Sequence, residues 1–226
     1  MQQYREIKSR HQNAILFFRM GEFYEMFYED AEVASRTLGL TLTSRNNGGA
    51  SEVPLAGVPV KAAGEYLRRL IQQGFRVSIC EQIEDPKLAK GIVKREVVET
   101  ITPGAAFSDD LLDGTRNNYL CALNREGDQV EIAAADLSTG ELRLAMAQIA
   151  DLESALSRFS PREVIVARGS NLVHTLKAPP GEEGPMVTER EGWEFDPDLG
   201  RDQLIDRFRV GSLEAFGIEA GDRASL

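Results

Sequence analysis

Hydrophobic and polar positions follow two periods along the chain, and the switches between them mark its elements. Met1 to Arg10 predicts a helix, and the apolar run Ala14-Ile15-Leu16-Phe17-Phe18 predicts a buried strand that Gly21 interrupts. Phe23 to Phe27 alternates as the second strand of a hairpin would, although its aromatics equally suit the opening of a helix. Glu29 to Leu38 carries Ala31, Val33, Ala34 and Leu38 at helical spacing, with Gly39 as its stop. Leu40 to Thr43 predicts a strand, Asn46 to Ser51 a mobile loop, and Pro54 to Pro59 an ordered but irregular stretch. Ala62 to Gln73 predicts a helix with Tyr66, Leu67, Leu70 and Ile71 on one face and Gly74 as its stop. Phe75 to Ile83 and Val93 to Ile101 follow as strands, separated by a short basic loop between Asp85-Pro86 and Gly91.

Thr102-Pro103-Gly104 and the turn-rich, acidic stretch after it place a domain boundary, giving a first domain at 1–106 and a second at 107–226. The second opens with strands at Tyr119–Leu123, Val130–Leu137 and Leu142–Met146, joined by the hairpin signals Arg125-Glu126-Gly127-Asp128 and Ser138-Thr139-Gly140. A helix over Asp151–Phe159 and a strand over Val164–Ala167 follow. The expected class is therefore mixed α/β: a mixed sheet with flanking helices, then a partial ribonuclease H-like domain. Beyond Ala178 the pattern is weak, and Gly211 to Leu226 predicts the start of a helix without room to finish, as in a truncated chain.

Composition narrows the classes. With 42% hydrophobic and 27% charged residues the chain is globular, and no run approaches the roughly 18 apolar residues a membrane helix needs. A cytoplasmic location is expected, with Cys80 and Cys121 as reduced, buried thiols. The net charge of -10 argues against nucleic-acid binding until the chain is divided. Residues 1–106 hold 14 Lys/Arg against 13 Asp/Glu, a net +1, which leaves 12 against 23, a net -11, for the remainder. Only the first half is neutral enough to approach DNA.

The chemistry centres on Phe23 and Glu25. Two residues apart on a strand, they project from one face about 6.6 Å apart; on a helix they diverge. A ring beside a carboxylate, just after a glycine turn, suits wedging into a base step and testing an exposed base edge. Stacking contributes about 1–3 kcal/mol and unstacking a step costs a similar amount, so insertion nearly balances on a normal duplex and is favoured at a mismatch. Against this stands the repetition of Phe-Tyr-Glu at Phe27-Tyr28-Glu29, since aromatic stripes usually pack in a core.

The wider text decides between them. Phe18-Arg19-Met20-Gly21-Glu22-Phe23-Tyr24-Glu25-Met26-Phe27-Tyr28-Glu29-Asp30-Ala31 resembles the mismatch-recognition motif of MutS proteins. Pro54 to Pro59, Cys80 to Pro86, Arg95 to Val98 and Thr102-Pro103-Gly104 match in order, and Asp136 to Glu141 continues the likeness more weakly into a connector domain. The resemblance implies that Phe23 inserts beside a mispaired base and that Glu25 bonds to it. The first triplet is chosen because the family's glycine stands two residues before its phenylalanine. Arg95 aligns with a family arginine near DNA and, with Lys94, is the expected phosphate contact; Met20 and Leu55, inside the matching motifs, complete the DNA-binding candidates. A carboxylate among phosphates has its charged form disfavoured, so Glu25 is expected to be partly protonated against a purine ring nitrogen. The resemblance also implies a homodimer in the full-length protein, MutL and a sliding clamp as partners, and an ATPase using ATP and Mg further along.

This chain has no Gly-x-x-x-x-Gly-Lys-Ser/Thr run, and no cofactor, metal site or catalytic residue is expected in it. Two rivals remain. Asp136 ends a strand where a ribonuclease H-like nuclease keeps a metal ligand, but one carboxylate is not a two-metal site, and Asp109, Asp110 and Asp113, adjacent to one another, lie in a turn-rich linker. The other rival is a junction-binding relative that lacks the inserting phenylalanine. His11 and His174 have no ligand-spaced partners.

Overall fold

The computed structural model describes residues 1–46, 52–84, 91–106, 111, 117–176 and 184–219. The chain divides into two compact units, Met1–Leu112 and Asp113–Leu226.

The first unit runs α1 (Gln2–Arg10), β1 (Ile15–Met20), β2 (Phe23–Phe27), α2 (Glu29–Leu38), β3 (Thr43–Asn46), β4 (Glu52–Pro59), α3 (Ala63–Gln72), β5 (Val77–Gln82) and β6 (Arg95–Ile101). Its sheet has the order β3-β4-β2-β1-β5-β6. Only β1 and β5 pair in parallel; the other neighbours are antiparallel. β1 and β2 are joined by Gly21 and Glu22 alone, because Met20 is already paired with Phe23. Gly21, at φ 60, is the one turn residue with positive φ, the pattern of a type II′ hairpin.

The sheet is covered unequally. On one face Ile15, Phe17, Tyr24, Met26, Ala56, Val58 and Val77 pack against Ala31, Ala34 and Leu38 of α2 and Leu70 and Ile71 of α3. On the other, Leu16, Phe18, Phe27, Val53 and Cys80 gather around Tyr4 of α1. The short helix α1 covers only one end of that face.

Asp30, 6% exposed, fixes α1 there. Its Oδ2 accepts from the Tyr4 hydroxyl (2.9 Å) and the Leu16 amide (3.1 Å), while Oδ1 pairs with Lys8 Nζ (2.8 Å). Tyr4 also donates to the Phe27 carbonyl at 3.2 Å and meets the rings of Phe18 and Phe27 edge-on. Tyr28, between β2 and α2, takes φ 55 and is held by the Pro54 carbonyl, to which its amide donates at 3.1 Å, and by Arg5, which donates to its hydroxyl. The second Phe-Tyr-Glu triplet is thus a packed junction, with Phe27 1% exposed.

Two sequence expectations fail in this unit. Leu40–Leu42 is not strand, and β3 begins at Thr43. The alternation at Leu40-Thr41-Leu42 has no partner strand to pair with, while Thr43 is in register with Leu55. Pro54–Pro59 is not irregular but lies wholly within β4. Pro54 sends its carbonyl to Tyr28 at the point where the β2 ladder ends, so its missing N–H falls outside the pairing, and Pro59 is the last residue of the strand. Residues 47–51 of the expected mobile loop, the basic loop at 85–90, and Asp109, Asp110 and Asp113 lie outside the described residues.

The second unit runs β7 (Tyr119–Glu126), β8 (Gln129–Asp136), β9 (Glu141–Gln148), α4 (Leu152–Ser157), β10 (Glu163–Ala167), α5 (Leu172–Leu176), β11 (Met186–Arg190) and α6 (Pro197–Phe208). Its sheet order is β11-β10-β7-β8-β9, with an antiparallel meander followed by two parallel additions. Three hairpin strands, a helix and a parallel strand are what the ribonuclease H-like reading anticipates. Sequence patterning missed α5, β11 and α6, and Gly211 onward forms only a 3-10 turn at Glu214–Phe216 among the described residues. Both cysteines are buried and free, and burial pushes both thiols up to about 12. No helix among the described residues is long and apolar enough to cross a membrane.

Asp136 caps the β8–β9 turn. Burial opposes its charge, yet hydrogen bonds from the Ser138 hydroxyl (2.6 Å) and amide (2.9 Å) and from the Asn118 and Thr139 amides outweigh that, leaving its pKa below the ordinary aspartate value.

Two outcomes are expected. Asp30→Ala removes the carboxylate shared by the Tyr4 hydroxyl, the Leu16 amide and Lys8 and destabilises the first unit by about 3 kcal/mol, the low end for breaking a buried ion pair because Lys8 is partly solvated and keeps its bonds to the Gln12 and Ala14 carbonyls. Urea denaturation followed by circular dichroism measures it. The Asp136 contribution is complete above the unfolded value of about 3.9, declines as pH falls from there through the lower native value, and is lost below it. Asp136→Asn should flatten this acid limb in unfolding curves read from Trp193, the one tryptophan of the chain and part of the second unit.

Candidate nucleic-acid interface

The face of the first sheet that α1 only partly covers is ordered in rows by the strand register. One row carries Leu55 beside Phe27; the next places Gly57, Glu25 and Phe18 side by side; the outermost holds Pro59, Phe23 and Met20. Because successive side chains of a strand alternate, Phe23, Glu25 and Phe27 share this face, while Tyr24 and Met26 enter the opposite core. Exposure rises outward along the strand. Phe27 is sealed under α1, Glu25 is half-buried, and Phe23 is 47% exposed.

A phenylalanine so exposed at a strand end, two rows out from the sealed Phe27, leaves its ring available to a ligand. Its neighbours are shaped by what surrounds it. Met20, across the hairpin, is half-buried and packs toward the α1 cluster. Leu55 lies two rows inward and also packs into that cluster, so it supports Phe27 and not the outer row. Gly57, opposite Glu25, is a residue whose part at the site was not evident from the sequence.

Arg95 and Lys94, expected together at phosphates, are held by different partners within the first unit. The Arg95 guanidinium donates from Nε to the Arg19 carbonyl (2.6 Å) and from one terminal nitrogen to Gln3 Oε1 (3.1 Å) and the Val93 carbonyl (2.8 Å). It also lies 5.1 Å from the centre of the Phe18 ring. Burial lowers its pKa from the ordinary arginine value, while Cys80 and the negative charge of Glu25 work the other way. Arg95 therefore braces the end of β1 against α1 and contributes positive potential beside Glu25 from a fixed position. Lys94 pairs at 2.7 Å with Glu96, whose partner across the ladder is Glu81. Glu81 belongs to the opposite face, where it pairs with Arg19 and bonds the Tyr24 hydroxyl. Burial, with Glu81 assisting, pushes that hydroxyl up to about 12. Lys94 thus stands on the far side of the sheet from Phe23.

In the second unit Asp136 has both oxygens engaged by protein donors, the arrangement of a turn cap. Among the described residues no group of three or more His, Cys, Asp or Glu side chains is placed to hold a metal ion.

Comparison with known proteins assigns both units. Residues 1–110 match the family model described as MutS domain I, and residues 118–225 match that described as MutS domain II. The protein from Cytophaga hutchinsonii described as DNA mismatch repair protein MutS is 45% identical over 219 residues, 97% of this chain and 25% of its own length. Proteins of the same description from Syntrophomonas wolfei and Salinibacter ruber are each 42% identical, over 97% and 98% of this chain and 26% and 25% of theirs. The chain spans about a quarter of the length of these curated relatives. With both halves matched in order, the chain belongs to the MutS family, of which it carries domains I and II.

Proposed function

We propose that this chain supplies the mismatch-sensing part of a mismatch repair protein, with Phe23 inserting at a mispaired or unpaired base and Glu25 hydrogen-bonding to that base. The observation that carries this reading is the half-exposed Phe23 ring on the same strand face as Glu25, at the uncovered end of a face on which Phe18 and Phe27 are sealed. Pairing of β2 with β1 on one side and β4 on the other means that the ring and the carboxylate meet a ligand without first ordering their own backbone, which lowers the entropic cost of binding. Selectivity comes from the duplex: a mispaired step is cheaper to unstack, and neither side chain needs to read sequence. Arg95, held beside Glu25, acts through its potential, and phosphate contacts come from other basic residues of the first unit. Homodimer formation, ATP hydrolysis with Mg, and contacts with MutL or a sliding clamp belong in this reading to a polypeptide as long as the relatives. The duties of Asp136 as a turn cap favour recognition over a nuclease.

The test is a titration of a G·T duplex and its matched control at one fixed salt concentration, using the chain alone and a polypeptide as long as its relatives. Phe23→Ala should reduce the preference for the mismatch roughly ten- to hundredfold, the worth of one lost stacking contact, while binding to the matched duplex changes little. Retention of the preference would reject mismatch sensing, and retained affinity for branched DNA would favour the junction-binding alternative. Glu25→Ala should weaken mismatch binding about tenfold or more, whereas Glu25→Gln, whose amide donates as a protonated acid does, should keep most of it and lose its pH dependence. Equal loss in both variants at every pH would reject a protonated Glu25.

A further inference from the structure

Gly57 lies in the interior of β4, paired with Glu25. Its backbone does not require glycine, since its φ is not among the positive values of the chain. Space does not require glycine either. A Cβ built there meets only ordinary van der Waals contacts, at 3.6 Å from the Tyr24 carbonyl oxygen and 3.9 Å from both Glu25 Cγ and Phe23 Cδ1. Glycine inside a strand lowers stability, because it gives up more backbone freedom on folding and packs no side chain. The folded chain alone thus gives no reason for glycine at this position.

The three contacts say what its absent side chain leaves open. The missing methyl would touch both the Phe23 ring and the Glu25 side chain, on the face that both share. The bare backbone of Gly57 is thus a floor that borders both the stacking group and the hydrogen-bonding group. We infer that Gly57 is a specificity-determining residue: its lack of a side chain admits the edge of a mispaired nucleotide, base and deoxyribose, between Phe23 and Glu25, so that stacking and hydrogen bonding are satisfied together. With a methyl on the floor the nucleotide rides higher and one of the two contacts is lost. This rests on the mismatch-sensing reading above and adds to it a third residue, from another strand, which touches the ligand by leaving room for it.

Gly57→Ala separates this role from a structural one because stability and recognition should move in opposite directions. The unfolding midpoint of the chain should hold or rise by a few degrees, as expected for alanine replacing glycine in extended backbone. The preference for a G·T duplex over its matched control should fall about tenfold, the effect of one methyl overpacked in a close-fitting site. Gly57→Val should deepen that loss while the chain remains folded, and binding to the matched duplex should stay within about twofold in both variants, since the phosphate contacts are untouched. An unchanged preference in Gly57→Ala and Gly57→Val, with Phe23→Ala still losing it, would overturn the inference and leave the mismatch-sensing reading in place. An unsubstituted protein with no preference, in either length of polypeptide, would overturn both.

Discussion

Asp30 joins elements that the sheet alone would not hold together. One carboxylate accepts from the Tyr4 hydroxyl, the Leu16 amide and the Lys8 ammonium, and so ties α1 to the central strand and to the first turn of α2. A buried carboxylate is tolerated only when its lone pairs are used, and here three donors from two segments, α1 and β1, use them. Because α1 is held over one end of the sheet and is only nine residues long, the other end of the same face stays open. The exposure of Phe23 and the sealing of Phe27, four residues later on one strand, both follow from where this helix stops.

Arg95 extends the same arrangement toward the open end. By bonding to the Arg19 carbonyl, to Gln3 and to Val93 while lying over Phe18, it braces α1, β1 and β6 next to Glu25. Rigid support at the border between a core and a ligand surface keeps the outer side chains close to their working geometry without a covering element. The second unit achieves local order differently, through Asp136 closing a hairpin, and its acidic balance suits it less to the approach of phosphates.

Much of this was legible in the sequence where the signals were local. The apolar spacing and glycine stop of α2, the alternation of β2 and the glycine signals of the second unit's hairpins each depend on neighbours within a few residues. The projection of Phe23 and Glu25 from one face followed from the two-residue period of a strand. What escaped depends on distant pairing. The prolines of β4 read as irregular until Pro54 is seen to face the end of the β2 ladder, and β11 is strand only because β10 lies parallel beside it. The duties of Arg95 involve residues 76 and 92 positions away. The place of Gly57 opposite Glu25 is a fact of register, which the order of residues does not state.

The two-residue connection between β1 and β2 has an evolutionary side. Its glycine sets the hairpin twist, and the ladder resumes at once with Met20 opposite Phe23. Gain or loss of one residue there shifts the parity of β2, turning Tyr24 and Met26 outward and driving Phe23 and Glu25 toward the packed side. Tolerated variation in this hairpin is therefore confined to exchange of side chains at constant length, and a lineage that changes its loop length by one must rebuild the core and the ligand surface in the same step.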